Sequence, residues 1–575
     1  MIWVNPARAA RRTVGGVRRG WLDSYPPGVP AEIDPRTFPS LNALFKRSFE
    51  RFRDLPAFVS FGTVLTYGEI ERLSAAFAAF LSGGLGLRRG ERAAIMLPNL
   101  LQYPVALIGA LRAGLVVVNV NPLYTPRELE LQLADSGTSA VLVLENFARA
   151  LQEALPRTTV RHVITTQAGD LLPPVKRALV NFSVKHVKRM VPSWRIAGSI
   201  RLPEALERGA RLPFAEAQVG PDDAAFLQYT GGTTGRPRGA VLSHGNMVAN
   251  VEQTTAWVRN SLREGSETIV TALPLYHVFA LTANLLLFMR LGGRNLLIPN
   301  PRDIPGLVRE LRRQRFSAIT GVNTLFKALL DEPGFAAVRT ANRGALKLAI
   351  AGGMAVQRAV AERWQQAMGV PLIEGYGLTE ASPNVCANRF DAREFTGKLG
   401  LPLPSTDVAI LDEHGEELGC GEVGEICVRG PQVMRGYWNA PEETAAAFAR
   451  GGWLRTGDLG RMDERGCLEF VDRKKDVIVV SGFKVYPTEV EDVAMLHPGV
   501  KDAGAVGVPD ARSGEAVTLY VVRKDPALSA ETLRAHLAGR LARYKQPERI
   551  EFRESLPKSP IGKVLHRELR ASAGP

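Results

Sequence analysis

Short apolar runs that alternate with helix-length segments constrain this chain more than any other feature. Between residues 92 and 155 the runs AAIMLP, LVVVNV and AVLVLE are separated by helix-like stretches at 101–112 and 126–135. Between 268 and 376 the runs IVTALPL, NLLIP, SAIT, LKLAIAG and LIEGYG repeat the rhythm. Strands joined through helices form helix-covered, mostly parallel sheets. From 397 to 471 the pattern changes to DVAIL, EICVRG and CLEFV, joined by turns such as Glu413-His414-Gly415, which predicts a small antiparallel, β-barrel-like part. At 575 residues the chain exceeds one ordinary core. The expected class is α/β: a large N-terminal domain over 1–472 and a small mobile α/β domain over 473–575, joined at the charged run DRKKD, residues 472–476.

Composition excludes several classes. No stretch of about 18 uninterrupted apolar residues occurs; the nearest approach, 273–289, contains Tyr276, His277 and Asn284. Four cysteines form no C-x-x-C pair and no metal spacing with the eight histidines, which fits a reducing, cytoplasmic setting. The first twenty residues lack the apolar core of a signal peptide, so export is not expected, while mitochondrial targeting stays open. The net charge of +14 is spread along the chain without a zinc-finger, RNA-recognition or basic-zipper pattern, so no nucleic-acid partner is expected.

The chemistry gathers in a few segments. YTGGTTGRPRG, residues 229–239, joins flexible backbone N–H donors, threonine hydroxyls and fixed positive charge, a composition that suits an anionic ligand. It is not the G-x-x-x-x-G-K-[ST] loop, because Arg236 and Pro237 follow Gly235. GCGEVG, 419–424, matches G-x-G-x-x-G but precedes a strand-like run, so it reads as a turn. Neither G-x-S-x-G nor H-E-x-x-H occurs.

Three further segments follow in order: EGYGLTE at 374–380, WLRTGDLG at 453–460 and LPKSPIGKVLHREL at 556–569. With the loop at 229–239 they resemble the adenylate-forming superfamily of acyl-CoA synthetases, adenylation domains and beetle luciferases, over nearly the whole chain. WLDSYPPGVPAEIDP, the doubled glycine of YTGGTTG, PLYHVFALT and GVNTLFKALL are most similar to the bacterial long-chain fatty acyl-CoA synthetases.

That resemblance implies an ATP- and Mg²⁺-dependent ligase that makes an acyl-adenylate and then passes the acyl group to coenzyme A. Thr230, Gly231, Gly232, Thr233, Thr234 and Gly235 would wrap the pyrophosphate portion, Thr379 would donate to the α-phosphate, and Glu380 would hold the magnesium ion. Tyr376, flanked by Glu374 and Gly377, would stack on adenine, and Gly353 would let adenine approach the backbone. Asp458 would accept the ribose hydroxyls, with Arg473 beside it. Lys563 would reach the carboxylate and α-phosphate oxygens, and Lys475 falls at the hinge. His277 is carried as a catalytic candidate and as a wall of the acyl pocket, together with Gly321, Val322, Asn323 and Gly352.

One departure stands out: the usual loop lysine of the family is Arg238 here. Arginine keeps the charge and adds bidentate donors. The main expectation is a long-chain fatty acid:CoA ligase, with a medium-chain or aryl acid ligase, or an impaired lipid- or nucleotide-binding homologue, as alternatives. The basic segment 173–201 places Val175, Leu179, Phe182 and Met190 on one side, opposite Arg177 and Lys188 and flanked by Lys185. It reads either as a surface helix packed on its own domain or as a peripheral contact with an anionic membrane, on the inner face of the cell membrane. A homodimer is also left open.

Overall fold

The computed structural model describes residues 13–14, 17–230, 237–510, 512–559 and 564–572. Two helix-covered sheets build the N-terminal body. The first runs Arg238–Ser243, Ala224–Thr230, Val116–Asn119, Arg92–Met96, Thr138–Leu144, His162–Thr166 and Ile200–Arg201 from edge to edge. Every pairing is parallel except the first, where Ala224–Thr230 and Arg238–Ser243 run antiparallel. Helices on both faces explain the unbroken apolar runs: Thr138–Leu144 is buried at all seven positions.

The second sheet orders Leu401–Pro402, Asn384–Ala387, Leu372–Gly377, Leu348–Gly352, Ala318–Gly321, Thr268–Thr271, Arg294–Leu297, Pro56–Ser60 and Thr63–Thr66. Its centre is the parallel series expected from 268–376. The pair Pro56–Ser60 and Thr63–Thr66, which the alternation pattern does not reach, joins beside Arg294–Leu297. One apolar cluster runs through both sheets and fastens them as one body.

The region 397–471 folds as an antiparallel sheet. Asp407–Leu411, Gly424–Arg429, Trp453–Met462 and Phe448–Ala449 follow in order, and Leu468–Arg473 pairs with Trp453–Met462. The strand path stays open among the described residues instead of closing as a barrel. WLRTGDLG lies on the strand Trp453–Met462. GCGEVG is a turn, with Gly421 at φ 81°.

After a turn at 474–476, residues 478–572 form a sheet of Phe483–Val485, Ile478–Val480, Gly514–Arg523, Val500–Asp510 and Arg549–Arg553, with helices packed on it. Its apolar clusters, one of them spanning Ile478 to Leu541, contain no residue of the N-terminal body. A core of its own is what a separately moving unit requires.

The segment 173–201 corrects the reading of a helix packed through its apolar side. The helix Pro174–Phe182 and the following turn Ser183–Val187 contain no buried residue. Val175 is 76% exposed and Phe182 60%. The docking side carries Val180, which touches the main core, and Asn181, whose Oδ1 accepts from Gly169 N at 2.7 Å. The apolar side thus faces away from the domain. No helix of the described residues is long and apolar enough to cross a membrane.

Candidate active site

A cavity of about 1030 Å³ opens at the carboxyl ends of Leu348–Gly352 and Leu372–Gly377, facing the Ala224–Thr230 and Arg238–Ser243 pair and the strand Trp453–Met462. Carboxyl ends of parallel strands are where open α/β sheets hold ligands, because the chain splays there into loops. Lys475 and Ser559 of the C-terminal part close the cavity from the other side.

Strand ends deliver most of the polar lining. Tyr376 is buried in the Leu372–Gly377 strand, and its hydroxyl donates to Asp458 Oδ2 at 2.8 Å. Arg473 Nε lies 3.6 Å from Asp458 Oδ1. Burial and the Asp458 carboxylate hold the Tyr376 phenol well above its ordinary range, so it stays a donor. Gly353 follows the neighbouring strand at φ 80°, a left-handed backbone that bare glycine adopts without strain. At Gly377 a Cβ would collide with the Pro383 carbonyl, so only glycine lets the chain turn into Thr379 and Glu380. These two begin a short 3-10 turn, Thr379–Ala381, whose side chains face the cavity.

Three arginines, Arg238, Arg455 and Arg473, bring positive charge to this space. Arg455 Nε and Arg473 Nε are ion-paired, 3.2 Å from Glu425 Oε2 and 3.6 Å from Asp458 Oδ1, whereas Arg238 Nε is buried without a hydrogen-bond partner among the described residues. A buried donor without an acceptor costs about 1–3 kcal/mol, so this arrangement is poised for an anion. Lys475 also lines the cavity, and burial lowers its ammonium pKa.

Glu374 lies in the wall beneath Gly352 and Gly353. Its Oε1 accepts from Val356 N at 3.4 Å, and Oε2 has no partner among the described residues. Burial raises its carboxyl to about 7. His277 caps the start of Val278–Ala280, with Nδ1 accepting from Phe279 N at 3.3 Å, and burial lowers its pKa to about 4. A neutral imidazole engaged with the backbone suits a pocket wall better than a base. The same cavity is also lined by Trp257, Phe279, Ile350 and Phe390.

Thr230, Arg238, Gly352, Gly353, Glu374, Tyr376, Gly377, Thr379, Glu380, Asp458, Arg473, Lys475 and His277 therefore meet around one space. Gly231, Gly232, Thr233, Thr234, Gly235 and Lys563 lie outside the described residues. Gly321, Val322 and Asn323 do not line the cavity. The helix Asn323–Asp331 folds back on the strand end, so a Cβ at Gly321 would strike the Phe326 ring, and Asn323 Oδ1 is taken up by Gln357 N at 3.1 Å. Sequence reasoning passed over Tyr437, whose hydroxyl donates to Glu380 Oε1 at 2.8 Å. The available signal was an aromatic pair in RGYWN, directly after a glycine.

No cluster of three or more metal-ligating side chains occurs among the described residues. Glu380 presents a single carboxylate to the cavity, which fits Mg²⁺, an ion that takes one or two carboxylates and completes its shell with substrate phosphates and water.

Comparison with known proteins accounts for both parts of the chain. Residues 45–438 match the family described as AMP-binding enzyme, and 489–563 match the AMP-binding enzyme C-terminal domain. A long-chain-fatty-acid–CoA ligase of Escherichia coli O157:H7 is 54% identical over 557 residues, 97% of this chain and 99% of the relative. One from Bacillus subtilis (strain 168) is 37% identical over 555 residues, 96% and 98% of the two chains. Among solved structures, ATP-bound MatB from Rhodopseudomonas palustris is similar at a TM-score of 0.77 and 29% identity, over 93% of this chain and 99% of that one. With both of its parts and nearly its whole length so matched, this chain belongs to the AMP-binding enzyme family, within the adenylate-forming superfamily.

Proposed function

We infer that the protein is an ATP-dependent long-chain fatty acid:CoA ligase, converting fatty acid, ATP and coenzyme A into acyl-CoA, AMP and pyrophosphate through an acyl-adenylate. The observation that carries this reading is one cavity lined both by Arg238, Thr379, Glu380 and Asp458, groups suited to a nucleotide, and by the apolar side chains of Trp257, Phe279, Ile350 and Phe390.

In the first half-reaction a fatty acid carboxylate oxygen attacks the α-phosphorus and pyrophosphate leaves. The catalytic demand is placement and charge neutralisation, because negative charge is already crowded on the phosphates. Tyr376 and Gly353 form the adenine slot, and Asp458 takes the ribose hydroxyls. Thr379 donates to an α-phosphate oxygen, Arg238 and the segment from Thr230 hold the pyrophosphate portion, and Lys563 reaches the reacting oxygens. Mg²⁺ held by Glu380 would neutralise phosphate charge. In the second half-reaction the coenzyme A thiol attacks the acyl carbonyl and AMP leaves. The C-terminal domain turns about Lys475 between the two steps, withdrawing Lys563 and opening a path for the thiol.

The apolar lining sets chain length. Each buried CH₂ contributes about 0.8 kcal/mol, so two carbons change specificity by roughly tenfold until the tunnel is filled. kcat/KM measured from acetate to long-chain acids is expected to rise with length; a maximum at acetate or an aryl acid refutes the assignment.

The outward side of 174–190 supports peripheral contact with an anionic bilayer. Val175, Leu179, Phe182, Val187 and Met190 are exposed, and Lys185 on the flank and Arg177 and Lys188 on the opposite side are exposed as well and add positive charge to the segment. Sedimentation with anionic liposomes is expected to fall when Arg177, Lys185 and Lys188 are neutralised together; unchanged binding removes this contact. Sedimentation velocity without lipid tests the homodimer.

A further inference from the structure

We propose that Tyr437 is a positioning residue that couples the loop cation Arg238 to the metal-binding carboxylate Glu380, and that this coupling is why arginine suits position 238 in this chain. The proposal rests on the ATP- and metal-binding reading above. Its ring carries the Arg238 guanidinium 4.8 Å from the ring centroid, while its hydroxyl donates to Glu380 Oε1 at 2.8 Å. One side chain thus touches both groups that would meet the phosphates.

Backbone contacts hold Tyr437 in place. Val241 N donates to Gly436 O at 2.9 Å, and Trp438 N donates to Gly239 O at 2.7 Å, so residues 436–438 pair with the strand Arg238–Ser243. Met434 N donates to Glu380 O at 2.7 Å, tying the same segment to the turn that carries Glu380. Tyr437 N donates to Thr444 Oγ1 at 2.9 Å. The segment is therefore fastened to both of the elements it would couple.

The chemistry favours arginine over lysine. A planar guanidinium stacks on an aromatic face and still directs N–H donors outward, whereas an ammonium is a compact, strongly hydrated point charge. With the Arg238 plane resting on Tyr437, its buried Nε is left without a partner among the described residues. The other N–H groups of the guanidinium are the donors it would offer to a phosphate oxygen.

The test uses the full chain and four variants: Tyr437→Phe, Tyr437→Leu, Arg238→Lys, and the last two combined. Mn²⁺ in place of Mg²⁺ is titrated in the presence of a non-hydrolysable ATP analogue, with bound Mn²⁺ read by electron paramagnetic resonance. ATP KM is read by ATP–pyrophosphate exchange. Tyr437→Phe keeps the ring and loses the donor, so Mn²⁺ affinity is expected to fall roughly tenfold with little change in melting temperature. Arg238→Lys is expected to raise the ATP KM in the unsubstituted background and to add nothing in the Tyr437→Leu background, where no ring remains to stack on. Mn²⁺ affinity within about twofold of the unsubstituted protein in Tyr437→Phe, or additive effects of Arg238→Lys and Tyr437→Leu on ATP KM, overturns the proposal. If Tyr437→Leu does not fold, the Phe arm decides. Absence of Mn²⁺–nucleotide binding in the unsubstituted protein overturns the functional reading as well, whereas normal binding with an indifferent Tyr437→Phe overturns the coupling alone.

Discussion

Substituting Asp458 separates recognition of the nucleotide from maintenance of the cavity wall. Its Oδ2 accepts from the Tyr376 hydroxyl at 2.8 Å, its Oδ1 lies 3.6 Å from Arg473 Nε, and its side chain is 14% exposed. Asp458→Ala removes the carboxylate proposed to take the two ribose hydroxyls. Hydrogen bonds to a charged group contribute about 1.5–3 kcal/mol each, and an open cavity places these at the lower end. A total near 3 kcal/mol corresponds to roughly a hundredfold loss in kcat/KM for ATP. The same substitution leaves the buried Tyr376 hydroxyl without its acceptor, a cost of about 1–3 kcal/mol to stability. Asp458→Asn divides the two effects: its amide oxygen still accepts from Tyr376, but the negative charge is gone. The melting temperature is then expected to return close to that of the unsubstituted protein while kcat/KM for ATP stays depressed by about tenfold or more. The assays are ATP–pyrophosphate exchange across an ATP series and thermal unfolding of the ligand-free protein. Full recovery of ATP kcat/KM in Asp458→Asn, or loss confined to the fatty acid KM in either variant, refutes this reasoning.

Glu374→Gln tests the buried carboxyl. Its pKa rises from the ordinary 4.5 to about 7 on folding, so between these values the folded protein binds the extra proton and stability falls as pH increases. In the Gln variant that part of the slope is expected to vanish from melting temperature against pH between 4.5 and 7; an unchanged slope rejects a buried, protonated Glu374. The two half-reactions are expected to part company in single-turnover experiments. Lys563→Ala should nearly abolish acyl-adenylate formation yet still convert supplied acyl-adenylate, and Lys475→Pro should do the reverse, because proline fixes φ and restricts the residue before it. Equal loss of both steps in both variants counts against rotation about Lys475.

Local pattern carried much of this architecture. Parallel strands such as Thr138–Leu144, apolar from Ala140 onward, and Leu348–Gly352 are legible because helices on both faces favour unbroken apolar runs. Pro56–Ser60 was not legible as part of the second sheet, since its partner Arg294–Leu297 lies more than two hundred residues away and no local signal encodes that pairing. Trp453–Met462 was legible as a motif but not as a strand: its polar residues line a cavity, so it lacks clean alternation.

The candidate site divides in the same way. The sequence by itself determined the residue types: the glycines whose backbone needs no Cβ, the carboxylates Glu380 and Asp458, and the arginine at 238. Chemistry at these positions depends on side-chain identity and close spacing, and both are written along the chain. Only the tertiary structure decided which of them share one space. It withdrew Gly321, Val322 and Asn323 behind a folded-back helix, turned the apolar side of Pro174–Phe182 away from the domain, and set Tyr437 between Arg238 and Glu380. Each of these outcomes depends on packing between segments far apart in the chain, where the direction of a side chain is set by the partner it meets and not by its neighbours in sequence.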